Sequence, residues 1–113
     1  MSERQLSRLR ERRATLLEEL RQTPNLMRGT VYQRERKCGR ASCTCATGGP
    51  RHAGVQFNVT LGGRTRTRYV RQGERAAIEA MVGAYHRLWK VVDELTEVNL
   101  LLWNAEPGET VSR

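Results

Sequence analysis

Acidic groups, aromatic rings and long apolar runs are all scarce in this chain of 113 residues. No segment approaches the roughly twenty consecutive apolar residues of a membrane span, so a membrane protein is not expected. With aromatics at 5% and apolar residues at 38%, one thin core is all the chain can build. Chains of this kind gain stability from a metal or from self-association. Between residues 28 and 75 the only acids are Glu35 and Glu74, and the only histidine is His52. Those three cannot assemble the paired acid and base groups of a hydrolase or nuclease, so no enzyme is expected. Cysteine is limited to three, an odd number that a disulfide would leave unbalanced. Met1 is not followed by an apolar signal-like run, and together these features point to a reducing cytoplasm.

What is abundant is positive charge. Twenty Lys and Arg stand against twelve Asp and Glu, for a net charge of +8. The excess is concentrated: residues 28 to 75 hold eleven basic and two acidic groups, whereas residues 76 to 113 are net acidic. An uncompensated field over so short a stretch repels itself and favours a polyanionic partner.

All three cysteines fall inside eight residues, in Cys38-Gly39-Arg40-Ala41-Ser42-Cys43-Thr44-Cys45, and His52 follows. Three thiolates and one imidazole make a full tetrahedral set for structural Zn2+. Glycines at 39, 48 and 49 and Pro50 allow the tight turning that such a knuckle needs. Cys38, Cys43, Cys45 and His52 are therefore the candidate ligands. An iron-sulfur cluster would want a fourth cysteine, and ordinary buried thiols would want more core than a glycine-rich loop offers.

Local patterns give the elements. Ser2 and Gln5 fit a capping box, and Leu6, Leu9, Leu16, Leu17 and Leu20 recur at helical steps until Pro24, predicting a helix over residues 3 to 22. Its mixed charges suit a solvated face. Residues 28 to 37 predict a strand with Val31 and Gln33 on one face and Tyr32, Arg34 and Arg36 on the other. Val55, Phe57, Val59 and Leu61 alternate as a strand facing a core. Gly62-Gly63 is a two-residue hairpin signal, and the returning strand carries Arg64, Arg66 and Arg68 on one face, ~7 Å apart and close to the spacing of phosphates along a strand. Ile78, Tyr85, Val92 and Asn99 at a positions and Met81, Leu88, Leu95 and Leu102 at d positions give four heptads of a packing or dimerising helix over residues 73 to 104. Val82, Trp89 and Trp103 widen that stripe on the e side, and His86 falls on a surface position. Pro107-Gly108 closes the helix, with a disordered tail expected over residues 105 to 113.

The stretch from Met27-Arg28-Gly29 through the cysteines, His52, Phe57 and the Gly62-Gly63 hairpin to Tyr69-Val70 resembles an uncharacterised bacterial and archaeal family of short proteins, often found among mobile-element genes. The resemblance covers roughly residues 27 to 103. Where that family carries Gly-Pro-Tyr after the histidine, this chain has Ala53-Gly54-Val55. The resemblance implies a knuckle of three cysteines and one histidine and a mobile-element context, but no activity.

The expectation is an α+β protein: an N-terminal helix (1 to 24), a three-stranded antiparallel sheet with a zinc knuckle (25 to 72), and the long helix. The helices would pair within the chain and between two chains. Arg34, Arg36, Lys37, Arg40, Arg51, Arg64, Arg66, Arg68 and Arg71 are the candidate nucleic-acid contacts, with duplex DNA favoured, a homodimer expected and a mobile-element protein as a further partner. RNA binding, or a protein-interaction adaptor working through the helices, are the other readings.

Overall fold

The structure, a computed structural model, describes residues 1–36, 39–50, 52–106 and 108, with Arg36 and His52 described by their backbone. The element order is α1 (Glu3–Arg21), β1 (Thr30–Arg36), β2 (His52–Leu61), β3 (Arg64–Val70) and α2 (Arg75–Ala105). This is the expected α+β composition. The chain divides into two units, one made of Met1–Asn25 with Ala84–Arg113 and the other of Leu26–Gly83.

In the helical unit, α1 starts where Ser2 caps it: the Gln5 amide donates to Ser2 Oγ at 3.2 Å, and the Ser2 amide donates to Gln5 Oε1 at 2.9 Å. That reciprocal pair satisfies donors left over at a helix start. Leu6 and Leu16 are buried against Leu95, Val98 and Leu102 of α2, with Leu9, Leu20 and Val91 packed around them. The two helices thus pair within the chain. Arg10 bonds Glu106 and Arg12 bonds Glu94, tying the N-terminal half of α1 to the C-terminal half of α2. At the end of α1, hydrogen bonds from Arg21 and then Gln22 hold the exposed Glu18 carboxyl below the usual range.

The stripe of α2 is rotated from expectation. Its buried positions from residue 84 onward are Ala84, Leu95, Val98 and Leu102, so the d positions are flanked by Ala84, Val91 and Val98 on the g side. Trp89 and Trp103, expected to widen the seam, are each 49% exposed, and Leu17 of α1 is exposed as well. A single partner helix covers one stripe, and α1 takes the g side.

In the sheet unit the strands are ordered β1-β2-β3, all antiparallel. Gly62 and Gly63 both have positive φ, at 56° and 79°, which is what a two-residue hairpin turn requires. The turn fixes the register, placing Leu61 opposite Arg64, Val59 opposite Arg66, and Phe57 opposite Arg68. β2 begins at His52, three residues before the expected alternation, because Ala53 and Gly54 pair with Glu35 and Arg34. A three-residue 3-10 turn, Gln72–Glu74, leads into α2. Most of the expected C-terminal tail lies outside the described residues.

Candidate nucleic-acid interface and metal knuckle

Residues directly opposite one another in an antiparallel pair point to the same side of a sheet. The register therefore puts Arg64, Arg66 and Arg68 on the side of Leu61, Val59 and Phe57, and not on a separate solvent face. Sequence alternation alone treats the apolar row as core and the arginine row as surface. Counting back from the two-residue turn would have shown that they share a side. Phe57 and Val59 are half-buried and Leu61 is exposed, so this face is a floor of apolar groups edged by guanidiniums.

The pairing of β1 with β2 ends at Thr30 and Asn58. Beyond it, residues 59 to 66 continue as a two-stranded ribbon. Arg28, which sequence reasoning passed over, braces that ribbon by donating from its guanidinium to the Thr60 carbonyl at 2.6 Å. All three arginines of β3 are exposed. Among the described residues, none of the three engages an acid or a hydrogen-bond acceptor through its guanidinium, whereas Arg10, Arg12, Arg21 and Arg75 all sit on glutamates. Those four are neutralised and the three ribbon-face arginines are not.

Other candidate contacts lie elsewhere. Arg34 is an exposed residue of the opposite side, in register with Gly54. That side carries Tyr32, Gln56, Asn58, Thr65, Thr67 and Tyr69, with the Tyr32 hydroxyl donating to Gln56 Oε1 at 2.9 Å. Tyr69 is 60% exposed, its ring edge above Gly54. Arg40 is exposed in the cysteine loop and Arg71 just after β3. Arg36 is placed by its backbone opposite His52, and Lys37 and Arg51 lie outside the described residues.

The cysteine loop leaves the sheet at the opposite end of β2 from the ribbon, nine residues or ~30 Å away. Arg36 and His52 are backbone partners, so the sheet itself closes the base of the loop. Within it the Cys43 amide donates to the Arg40 carbonyl at 3.1 Å, and the Ala46 amide donates to the Cys43 carbonyl at 3.0 Å. Thr44–Thr47 form a 3-10 turn that ends on Gly48 at φ 96°, and the Gly49 amide returns to the Thr44 carbonyl at 2.7 Å. A Cβ on Gly49 would meet that oxygen at 2.6 Å. Cys43 is half-buried, and Cys45, at 1% exposure, is the one buried side chain among the described residues of a loop otherwise rich in Gly, Ser and Thr. Two sulfurs two residues apart on successive tight turns suit a shared soft cation. Among the described residues no group of three His, Cys, Asp or Glu side chains gathers at one point. Cys38 and the side chain of His52 lie outside them.

The model of the DUF6788 domain, a domain of unknown function, matches residues 6–80. This chain belongs to that family. No curated protein and no solved structure matches it. The DUF6788 match runs from the first turn of α1 through the whole sheet and into α2. It therefore takes in both the ribbon and the cysteine loop, and among the described residues of this DUF6788 protein no helix is long and apolar enough to cross a membrane.

Proposed function

We propose that this protein binds nucleic acid, duplex DNA in the first place, through the β2–β3 ribbon. One observation carries the reading: three exposed guanidiniums in a row on one face of β3, two of them on the two-stranded projection, with no ion pair to an acid among the described residues. A ribbon of that kind fits the major groove of B-form DNA. The deep, narrow major groove of A-form RNA does not admit it, which is why DNA is preferred. Arg64, Arg66 and Arg68 contact phosphates or guanine edges, and Arg28 stiffens the ribbon from behind. Arg34, Arg40 and Arg71 extend the positive field around the sheet.

Zn2+ has a structural role in this reading. Cys38, Cys43, Cys45 and His52 are its ligands, and the ion would supply a cross-link that holds the loop where the sheet has too little core to do so. With four protein ligands no coordination position stays open for chemistry, so the protein acts as a binding module in the cytoplasm, an accessory or regulator of a mobile element. Titration of labelled duplex DNA and structured RNA at fixed salt tests the choice: tighter retention of DNA is expected, and tighter retention of RNA would overturn it.

The exposed tryptophans of α2 favour one addition. They give two chains an apolar strip on which to pair, and a dimer would present two ribbons to one duplex.

A further inference from the structure

Beside the ribbon, the sheet unit holds an open groove of about 310 Å³, floored by Phe57, Val59 and Leu61, edged by Arg66 and Arg68, and reached by Glu74. That is at the small end of the ~300–1,000 Å³ of ligand clefts. We infer that this groove seats one unpaired nucleotide of a nucleic-acid strand, its base on the apolar floor and its phosphate on Arg66 and Arg68. The inference rests on the nucleic-acid reading above and narrows it to strands with an exposed base.

Three features select this occupant. The floor is rigid and apolar, since Phe57 is wedged over Gly29, where even a single added carbon would sit 2.3 Å from its ring. Intact duplex hides the faces of its bases and has nothing to lay on such a floor, whereas an unpaired base has a free π-face. The two guanidiniums on the edge are without side-chain partners among the described residues, so they demand an anion. Glu74 takes the Arg71 amide on Oε1 at 3.1 Å, which leaves its second oxygen to accept from an exocyclic amino group. A fatty acid would satisfy the floor and the arginines but has no donor for Glu74. A nucleotide of adenine, cytosine or guanine satisfies all three.

The arginines themselves give the geometry of use. Arg64 stands at the tip, outside the groove, while Arg66 and Arg68 border it. A strand followed along this row passes from the ribbon into the groove within two residues of β3, so a duplex with a frayed or overhanging end satisfies both parts at once.

The test uses the full-length protein and fluorescence anisotropy at one salt concentration, with three probes: a blunt duplex, the same duplex with a short single-stranded overhang, and the overhang strand alone. The overhang duplex is expected to bind about tenfold tighter than the blunt one, the scale of one stacked base. Val59→Trp, which fills the groove, should bring the overhang and blunt duplexes to equal affinity, the ratio between the two probes being the readout. Equal affinity of the wild-type protein for blunt and overhang duplexes overturns the groove assignment and leaves the ribbon reading standing. A folded Val59→Trp protein that keeps the preference also overturns it. Failure of every probe to bind overturns both readings. The wild-type comparison decides whether or not the variant folds.

Discussion

The ring of Phe57 occupies the space in which residue 29 would have to place a side chain: a Cβ built on Gly29 lies 2.3 Å from Phe57 Cε1 and 3.0 Å from the Asn58 carbonyl oxygen. Gly29 also sits at φ 153°, a backbone state that L-residues rarely adopt. Gly29 lies just before the first β1–β2 rung, Thr30 opposite Asn58, so an aromatic ring of β2 rests directly on the backbone that enters β1.

Gly29→Ala is therefore expected to destabilise the protein by about 2 kcal/mol or more, from overpacking together with backbone strain. The urea midpoint measures this. A matched change at Gly73, which has open space around it, should move the midpoint far less. Equal midpoints for the two variants would show that the packing of Phe57 on Gly29 carries no weight.

Charge on the ribbon has a thermodynamic signature. Every phosphate of B-form DNA that a protein ceases to neutralise lowers the slope of log affinity against log salt by ~0.9. Replacing Arg64, Arg66 and Arg68 together by alanine should reduce the slope by about 2 to 3 and weaken binding most at low salt. Arg21→Ala is the control, since Arg21 already donates to Glu18 Oε1 at 2.7 Å and offers little to a polyanion. If both proteins give the same slope, DNA does not lie on the ribbon.

Metal content tests the loop. One zinc per chain is expected, and a chelator should open the loop and reduce DNA affinity. Cys45→Ser should lose the metal, because a buried hydroxyl is a poor substitute for a thiolate. Gly49→Ala should weaken metal retention without touching any ligand, because its Cβ would strike the Thr44 carbonyl and spread the turn that carries Cys45. A chain that elutes without metal and binds DNA with the same affinity after chelation would remove the ion from the account.

The elements themselves could be found from sequence because each is marked by local chemistry. Ser2 and Gln5 announce α1, Gly62-Gly63 announces the hairpin, and the alternation from Val55 to Leu61 can only be a strand. What periodicity could not supply was which row faces which. Arginines at alternate positions look like a water-facing edge, yet two-residue turn geometry carries them to the side of Phe57 and Val59, and the groove follows from that register. The heptads of α2 located part of its stripe, Leu95 and Leu102 at d positions, but not the flank that α1 covers. An a/d pattern specifies a stripe but not its partner, and α1 brought only Leu6, Leu9, Leu16 and Leu20, enough to cover the flank of Val91 and Val98. The metal site stays a matter of residue types and spacing, since among the described residues no three candidate ligands gather at one point.

The other flank of α2 is left bare by α1. Trp89 and Trp103 are fourteen residues apart, ~21 Å along one side of α2, and Leu100 between them is also exposed. Trp89→Glu with Trp103→Glu should shift the protein from dimer to monomer in sedimentation equilibrium, with the helical content unchanged because neither ring belongs to the α1–α2 core. DNA affinity should fall with it, since one ribbon must then do the work of two. A wild-type protein that sediments as a monomer, or a double variant that remains dimeric, would assign those tryptophans to something other than a second copy.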